Sequence, residues 1–135
     1  EAARLAALGG ASVILYPTAI GWHPGEKAAK GADQHDAWIT VQRGHAISNG
    51  LYVAAANRTG FECPKNGGEG LEFWGSSFIA GPQGEMIVQA SVDREEVILG
   101  EICPDHMEDI RRNWPFFRDR RIDAYQDLLK RHLSP

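Results

Sequence analysis

The chain has 135 residues and a mean hydropathy of −0.33, which is the size and composition of one soluble globular domain. Its net charge of −4 and isoelectric point near 5.7 disfavour binding to nucleic acids or anionic membranes, because both favour a basic surface. No run of about 18 apolar residues is present, so the sequence predicts no membrane-spanning helix. The two cysteines are too few for a disulfide framework, and we therefore expect a reducing, cytoplasmic location.

The first eight residues predict a helix that lacks an N-cap. Glu1 to Leu8 are almost all strong helix formers, and no Ser, Thr, Asp or Asn stands before them to bond the first free N–H groups. We therefore expect the chain to start inside a longer element. The segment expected before Glu1 is a candidate location for the catalytic residues.

The next residues predict a strand followed by a long loop. Gly9 and Gly10 end the helix, and the apolar, β-branched run Ser12 to Tyr16 predicts a buried strand. Pro17 is expected to end its pairing, and Pro17 to Lys30 has neither helical nor strand periodicity. Loops of this kind, at the carboxyl ends of strands, are where open α/β sheets bind ligands.

A second helix and strand repeat this order. The helix is predicted over Asp33 to Asn49, with Gly44 as a point of close packing. Trp38, Val41, His45 and Ser48 are predicted to lie on one stripe of this helix, at spacings of three and four. Leu51 to Ala56 predicts another buried strand, and two such units in succession indicate an α/β layer protein.

The second part of the chain predicts shorter elements. The Gly-rich stretch Gly60 to Leu71 is expected to be a loop, and Gly81-Pro82-Gln83-Gly84 predicts the turn of a hairpin between Ser76 to Ala80 and Glu85 to Ala90. Glu96 to Ile102 predicts a further strand, and Pro104 opens a helix that runs to about Asn113. The last stretch predicts an amphipathic helix with one apolar face, formed by Ile122, Tyr125, Leu129 and Leu133.

The side chains alone suggest no complete catalytic set. Cys63 lies in a predicted loop without a basic neighbour, and Cys103 ends a predicted strand, where a small buried side chain is usual, so we expect structural roles for both. The five histidines show neither an HExxH motif nor a Cys/His ligand spacing, so no metal or other cofactor is predicted. The sequon Asn57-Arg58-Thr59 is interpreted as a chance match in a cytoplasmic chain.

Two positions are candidates for a binding pocket. His23, beside Trp22 in the long loop, is equally consistent with a pocket wall and with an exposed loop residue. Trp74, next to Gly75, is a candidate stacking residue, although a tryptophan at such a position is more often part of the core.

Five motifs in chain order resemble the carboxyl-terminal half of the carbon–nitrogen hydrolases of the nitrilase superfamily. The motifs are Glu1-Ala2-Ala3-Arg4, Ala11 to Gly21, Ala54 to Gly60, Phe73 to Gly84 and Phe117 to Arg121. Together they cover essentially the whole chain. Within the superfamily, the resemblance is closest to the branch that hydrolyses N-carbamoylputrescine.

This resemblance implies the carboxyl-terminal part of a four-layer α-β-β-α sandwich, which is incomplete without the upstream half. Residues 1–113 are expected to belong to the hydrolase domain, and residues 114–135 to form a tail and helix at a subunit interface in a homo-oligomer. The family uses a Cys-Glu-Lys triad with a covalent thiol intermediate. All three residues precede the Glu-Ala-Ala-Arg motif in the family, so no catalytic residue is expected in this chain.

The resemblance also places one wall of the substrate pocket in this chain. The expected substrate contacts are Pro17, Thr18, Ala19, Trp22, His23 and, from its own sequence context, Trp74. A carbamoylated amine favours a carboxylate or an aromatic face at its cationic end, and Trp22, Trp74 and Glu26 are candidates. Our hypothesis is that Trp22 and His23 determine the preference for the amine end.

Two alternatives stay open at this point. The chain can belong to another amidase of the superfamily, either β-ureidopropionase-like or acting on aliphatic amides. It can also be a scaffold subunit that keeps the fold without the triad. In each case the upstream half of the same protein is the expected partner, and neither nucleic acid nor membrane is expected to bind.

Overall fold

The computed structural model describes residues 1–133, which form two β-sheets and three α-helices. The helices are α1 (Ala2–Leu8), α2 (Pro24–Asn49) and α3 (Pro104–Asn113). The strands are β1 (Val13–Thr18), β2 (Gly21–Trp22), β3 (Tyr52–Asn57), β4 (Thr59–Glu62), β5 (Leu71–Trp74), β6 (Phe78–Ala80) and β7 (Met86–Gln89). The α/β class predicted from the sequence is therefore confirmed.

The larger sheet has four strands in the order β1-β3-β6-β7. β1 and β3 are parallel and are joined by the long helix α2, as parallel neighbours require a crossover connection. β6 and β7 continue the sheet as an antiparallel hairpin, whose turn is closed by a 2.8 Å bond from Gly84 N to Gly81 O. The predicted hairpin is confirmed.

The smaller sheet has three antiparallel strands in the order β2-β5-β4. β2 follows directly from the loop after β1, and β4 begins two residues after the end of β3. Both strands of the parallel pair therefore run into this sheet at their carboxyl ends. The two sheets meet where an α/β protein most often places a ligand.

The core lies between the helices and the larger sheet. Leu51, Val53 and Phe78 are fully buried, and Ala46 of α2 and Met107 of α3 pack against them. The predicted helices at Glu1 to Leu8 and at Pro104, and the predicted buried strand at Leu51, are confirmed. Burial of such apolar side chains contributes about 1.5–3 kcal/mol each.

The predicted loop between Pro17 and Lys30 is wrong. β1 continues to Thr18, β2 follows, and α2 already begins at Pro24, where proline suits the first turn of a helix. Gly31 lowers helix propensity but leaves room for Trp22, whose ring atoms lie 3.0 Å from the position that a Cβ would take. Gly31, which in the sequence argues against a helix, is therefore explained by its packing against Trp22.

The prediction that the first strand is buried and ends at Pro17 is also wrong. Leu15 is 72% exposed, and Pro17 pairs with Ala56 in the register of β1 with β3. β1 is an outer strand of the described sheet, where the missing N–H of proline is tolerated.

The predicted stripe of α2 is only partly correct. Trp38, His45 and Ser48 are half-buried, but Val41 is 54% exposed, because the buried face of α2 is formed by Gly31, Gln42, Ala46 and Asn49. The close packing expected at Gly44 is absent from the described structure, since no atom lies within 4 Å of a Cβ built there.

Two further segments differ from the prediction. The expected loop Gly60 to Leu71 begins within β4 and ends in β5, because these strands pair over Thr59 to Glu62. The expected strand at Glu96 to Ile102 has no strand assignment, and its Val97 and Leu99 are 87% and 86% exposed. An extended segment becomes a strand only beside a partner, and the described residues provide none there.

The tail and the cysteines also differ from expectation. Residues 114–133 contain two short 3-10 helices, Ile122–Ala124 and Gln126–Leu129, instead of one amphipathic helix. Their apolar side chains are exposed, so nothing in the described structure packs against a continuous helical face. Cys63 and Cys103 are both exposed, which corrects the buried position expected for Cys103. Residues 134 and 135 of the predicted tail lie outside the described residues.

Candidate functional site

A groove of about 630 Å³ lies between the amino-terminal half of α2 and the smaller sheet. Its walls come from the loop after β1, from α2 and from β5. The residues that line it are Ile20, Gly21, His23, Glu26, Gln34, Ala37, Trp38, Val41, Leu71 and Trp74. Apolar walls with a few polar groups are typical of small-molecule sites.

An aromatic cluster lies beneath the groove, and two of its members, Trp38 and Trp74, line the groove. The ring of Trp74 lies 5.5 Å from Trp22, 5.9 Å from Trp38 and 5.5 Å from His35. Trp74 is only 2% exposed, and its indole Nε1 has no hydrogen-bond partner within the described residues. These tilted and edge-on contacts stabilise the cluster beyond the area they bury.

The rim of the groove carries several carboxylates. Glu26 accepts a 3.2 Å hydrogen bond from Gln34, and Glu69 lies 3.4 Å from Nδ1 of His23. Lys27 is held 2.7 Å from Glu72, with its ammonium over the ring of Trp22. The cation nearest the floor is therefore already paired, while Glu26 and Glu69 give the rim a negative potential.

The side chain of Asn57 joins the two walls at the carboxyl end of β3. Its Oδ1 accepts a 3.0 Å bond from the N–H of Ile20, and its Nδ2 donates to the carbonyl oxygens of Ile20 and Gly75, each at 3.0 Å. Thr18 Oγ1 adds a 3.1 Å contact to Oδ1. Asn57 is therefore a structural clamp, and its amide is fully engaged.

A strained turn connects Trp74 to the larger sheet. Gly75 and Ser76 both have left-handed backbones, with φ of 51° and 55°. Ser76 is 1% exposed, and a left-handed conformation costs a residue with a Cβ about 1–2 kcal/mol. Its hydroxyl donates to the carbonyl oxygen of Trp74 at 2.9 Å and lies 2.9 Å from Nε2 of His35.

The predicted site residues fall into two groups. His23 and Trp74 line the groove, and Trp22 lies behind them, with its indole N–H bonded to the carbonyl of Gly31 at 2.9 Å. Pro17 and Ala19 are exposed and Thr18 is half-buried at the end of β1, outside the groove lining. That these residues contact a substrate stays a prediction.

Sequence reasoning missed Asn57, His35 and Ser76. Asn57 was interpreted as a chance sequon, and the available signal was its position directly after a buried strand. His35 and Ser76 gave no local signal, because their contact spans 41 residues.

The described part of the structure contains no group of side chains arranged as a metal site. Within residues 1–133, no three His, Cys, Asp or Glu side chains are grouped so that they can hold a metal ion. None of the described helices combines the length and apolar character needed to cross a membrane.

Comparison with known proteins places this chain in a family. The carbon–nitrogen hydrolase family matches residues 1–112. The chain belongs to the carbon–nitrogen hydrolase family. A crystal structure of a carbon–nitrogen hydrolase from Helicobacter pylori G27 is 47% identical, with a TM-score of 0.94 over 98% of this chain and 45% of that chain. The nitrilase-like fold implied by the sequence motifs is thereby confirmed.

Two named enzymes are similar in sequence to nearly the whole chain. An N-carbamoylputrescine amidase from Arabidopsis thaliana is 41% identical over 131 residues, and a citrullinase from Francisella tularensis is 36% identical over 132 residues. The match covers 96% and 98% of this chain, but only 43% and 44% of the two relatives. The chain thus spans less than half the length of these relatives.

Proposed function

We propose that this chain forms the substrate-side wall of an enzyme that hydrolyses N-carbamoylputrescine to putrescine, carbon dioxide and ammonia. The observation that carries the proposal is the identity of 41% with an N-carbamoylputrescine amidase, spread over 96% of the chain. The groove supports it, because an aromatic floor and a carboxylate rim suit the cationic amine at the far end of such a substrate.

The proposed reaction is covalent catalysis by residues outside this chain. A cysteine thiolate attacks the carbamoyl carbon, a glutamate transfers the proton to the leaving amine, and a lysine stabilises the oxyanion. Putrescine leaves, and water releases the carbamoyl group from sulfur as carbamic acid, which decomposes to carbon dioxide and ammonia. We place all three residues on an upstream part of the same protein, and we expect this segment alone to be inactive.

Within this chain, the groove residues bind and orient the substrate. Glu26 lines the groove and Glu69 lies beside His23, so a protonated amine there gains Coulomb attraction, and Trp38 and Trp74 supply the aromatic lining. Of the predicted contacts, we propose that His23 and Trp22 determine the amine end. Pro17, Thr18 and Ala19 then support the loop from β1 that carries them.

Substrate profiling of the complete protein tests this function. We expect kcat/KM for N-carbamoylputrescine to exceed that for citrulline and for a carbamoylated β-amino acid, because both competitors bring a carboxylate to an acidic rim. The replacements Trp22→Ala and His23→Ala, made together, should reduce this preference by about tenfold, which corresponds to roughly 1.4 kcal/mol of differential binding.

Three results would contradict the proposed function. A preference for the carbamoylated amino acid would favour a β-ureidopropionase-like enzyme, and a preference for unsubstituted amides would favour an aliphatic amidase. A protein that contains no upstream Cys, Glu and Lys set would instead be a scaffold. An unchanged preference in the double variant would overturn the role of Trp22 and His23 alone.

The carboxyl-terminal tail is a candidate subunit interface. We propose that residues 114–135 contact a neighbouring subunit in a homo-oligomer, because the tail exposes aromatic and apolar side chains beside arginines, a composition common at interfaces. Arg118 and Arg121 pair with Asp119 and Asp123 at 3.1 and 2.7 Å, so these arginines are already neutralised within the chain. We expect the protein to act in the cytoplasm.

A further inference from the structure

The turn between β5 and β6 has two consecutive left-handed residues, Gly75 and Ser76. Within the described residues, Ser76 is the only residue other than glycine that has a left-handed backbone. The turn is anchored by 2.9 and 3.0 Å bonds from the N–H groups of Gly75 and Ser76 to the carbonyls of Arg58 and Ser91. Strained residues that persist in a buried site need neighbours that hold them in place.

His35 supplies one of these holding contacts. The Trp74 carbonyl can only accept, so the single hydroxyl hydrogen of Ser76 is donated to it at 2.9 Å. The lone pairs of that hydroxyl then remain for His35, whose Nε2–H donates across 2.9 Å. Burial lowers the pKa of His35, opposed by the nearby charge of Asp36, and so favours the neutral ring.

The same imidazole also contacts the groove floor directly. Its ring meets Trp74 edge-on, at 5.5 Å and 86°, and lies 6.0 Å from Trp22. His35 therefore constrains Trp74 twice, once through the backbone at Ser76 and once through the indole ring. Both constraints act on a residue that lines the groove.

We propose that His35 is a positioning residue that holds the Gly75–Ser76 turn and thereby places the Trp74 indole in the groove for substrate binding. The inference rests on the proposed function, since it assigns a task within the same site. His35 acts through Ser76 and Trp74 and does not line the groove, so it sets the affinity for the carbamoylated amine and leaves bond cleavage unchanged.

Replacement of His35 in the complete protein tests this role. His35→Phe keeps an aromatic ring but removes the donor, and we expect KM for N-carbamoylputrescine to rise about tenfold while kcat changes less than about twofold. His35→Gln keeps a donor at a similar reach and should restore KM to near its original value. His45→Phe is the matched control, because His45 is also half-buried on α2 but contacts Tyr16 instead of the turn.

A second substitution tests the strained backbone. Glycine adopts a left-handed φ without the penalty of a Cβ, so Ser76→Gly should reverse part of the KM increase caused by His35→Phe. The effects of the two substitutions on urea unfolding should likewise be non-additive, because the residues share one hydrogen bond.

The outcomes separate this inference from the proposed function. If the unsubstituted protein does not hydrolyse N-carbamoylputrescine, the proposed function fails, and additive unfolding effects would then also overturn the positioning role. If it does hydrolyse the substrate, an unchanged KM in His35→Phe, or a His35→Gln variant as impaired as His35→Phe, overturns the role of His35 alone.

Discussion

The imidazole of His35 gives the molecule a specific sensitivity to acid. Burial lowers the pKa of His35 in the folded chain, whereas the unfolded chain has the ordinary value of about 6.5. Above that value both states are neutral, and the full stability is present. As the pH falls through about 6.5, the unfolded chain takes up a proton that the folded chain does not, so the free energy of unfolding decreases until the folded pKa is reached.

We therefore expect His35→Gln to flatten the pH dependence of stability. Urea unfolding of the complete protein between pH 7.5 and pH 5 measures this slope. His45→Gln, at the other half-buried histidine of α2, serves as the matched substitution for comparison. Equal slopes in the His35→Gln variant and the unsubstituted protein would show that His35 does not contribute.

Single residues were predicted from sequence when their role was local. Trp22, His23 and Trp74 were recognised because aromatic residues beside glycine and proline stand out in the sequence, and two of them line the groove. Asn57 was missed because its partners Ile20 and Gly75 are 37 and 18 residues away. Hydrogen bonds to backbone groups this far along the chain cannot be predicted from the residues adjacent to Asn57.

At the level of elements, local signals predicted helix α3 and the β6–β7 hairpin. Proline at a helix start and glycine in a tight turn specify structure within a few residues. The smaller sheet was missed because its strands are two to four residues long and are defined by pairing with one another. The early part of α2 was missed because Gly31 serves Trp22 and not the helix.

Two glycines should respond to alanine in opposite ways. A Cβ on Gly21 would collide with the backbone of Glu72 and lie 2.7 Å from Cα of Phe73, so Gly21→Ala should separate β2 from β5. We expect a loss of about 1–3 kcal/mol in the free energy of unfolding. Gly44→Ala meets no described atom within 4 Å and should stabilise α2 by about 0.5–1 kcal/mol.

Denaturant unfolding of both variants in the complete protein checks this pair. A Gly21→Ala variant as stable as the unsubstituted protein would contradict the close approach of β2 and β5. A destabilised Gly44→Ala variant would show that another segment or subunit packs on this face of α2.

For the molecule as a whole, exposed apolar side chains are the main deviation from an ordinary domain. Leu15 on β1, Val97 and Leu99 after β7 and Leu129 in the tail are all largely exposed, and they lie on different parts of the chain. Large apolar surfaces in a folded chain mark contacts with other chains or segments.

We therefore expect residues 1–135 expressed alone to be insoluble or disordered. Size-exclusion chromatography and thermal unfolding monitored by circular dichroism measure this directly. A cooperative melt of an isolated monomer would contradict the expectation. The matched comparison is the complete protein, which should be soluble and should unfold cooperatively.

The clamp formed by Asn57 has a mechanical consequence for the whole site. Its amide binds the loop at Ile20 and the turn at Gly75, while its backbone belongs to β3 of the larger sheet. The separation between this loop and this turn is therefore set by the length of one short side chain. A longer or shorter side chain at position 57 would change how the loop before His23 sits relative to the turn after Trp74.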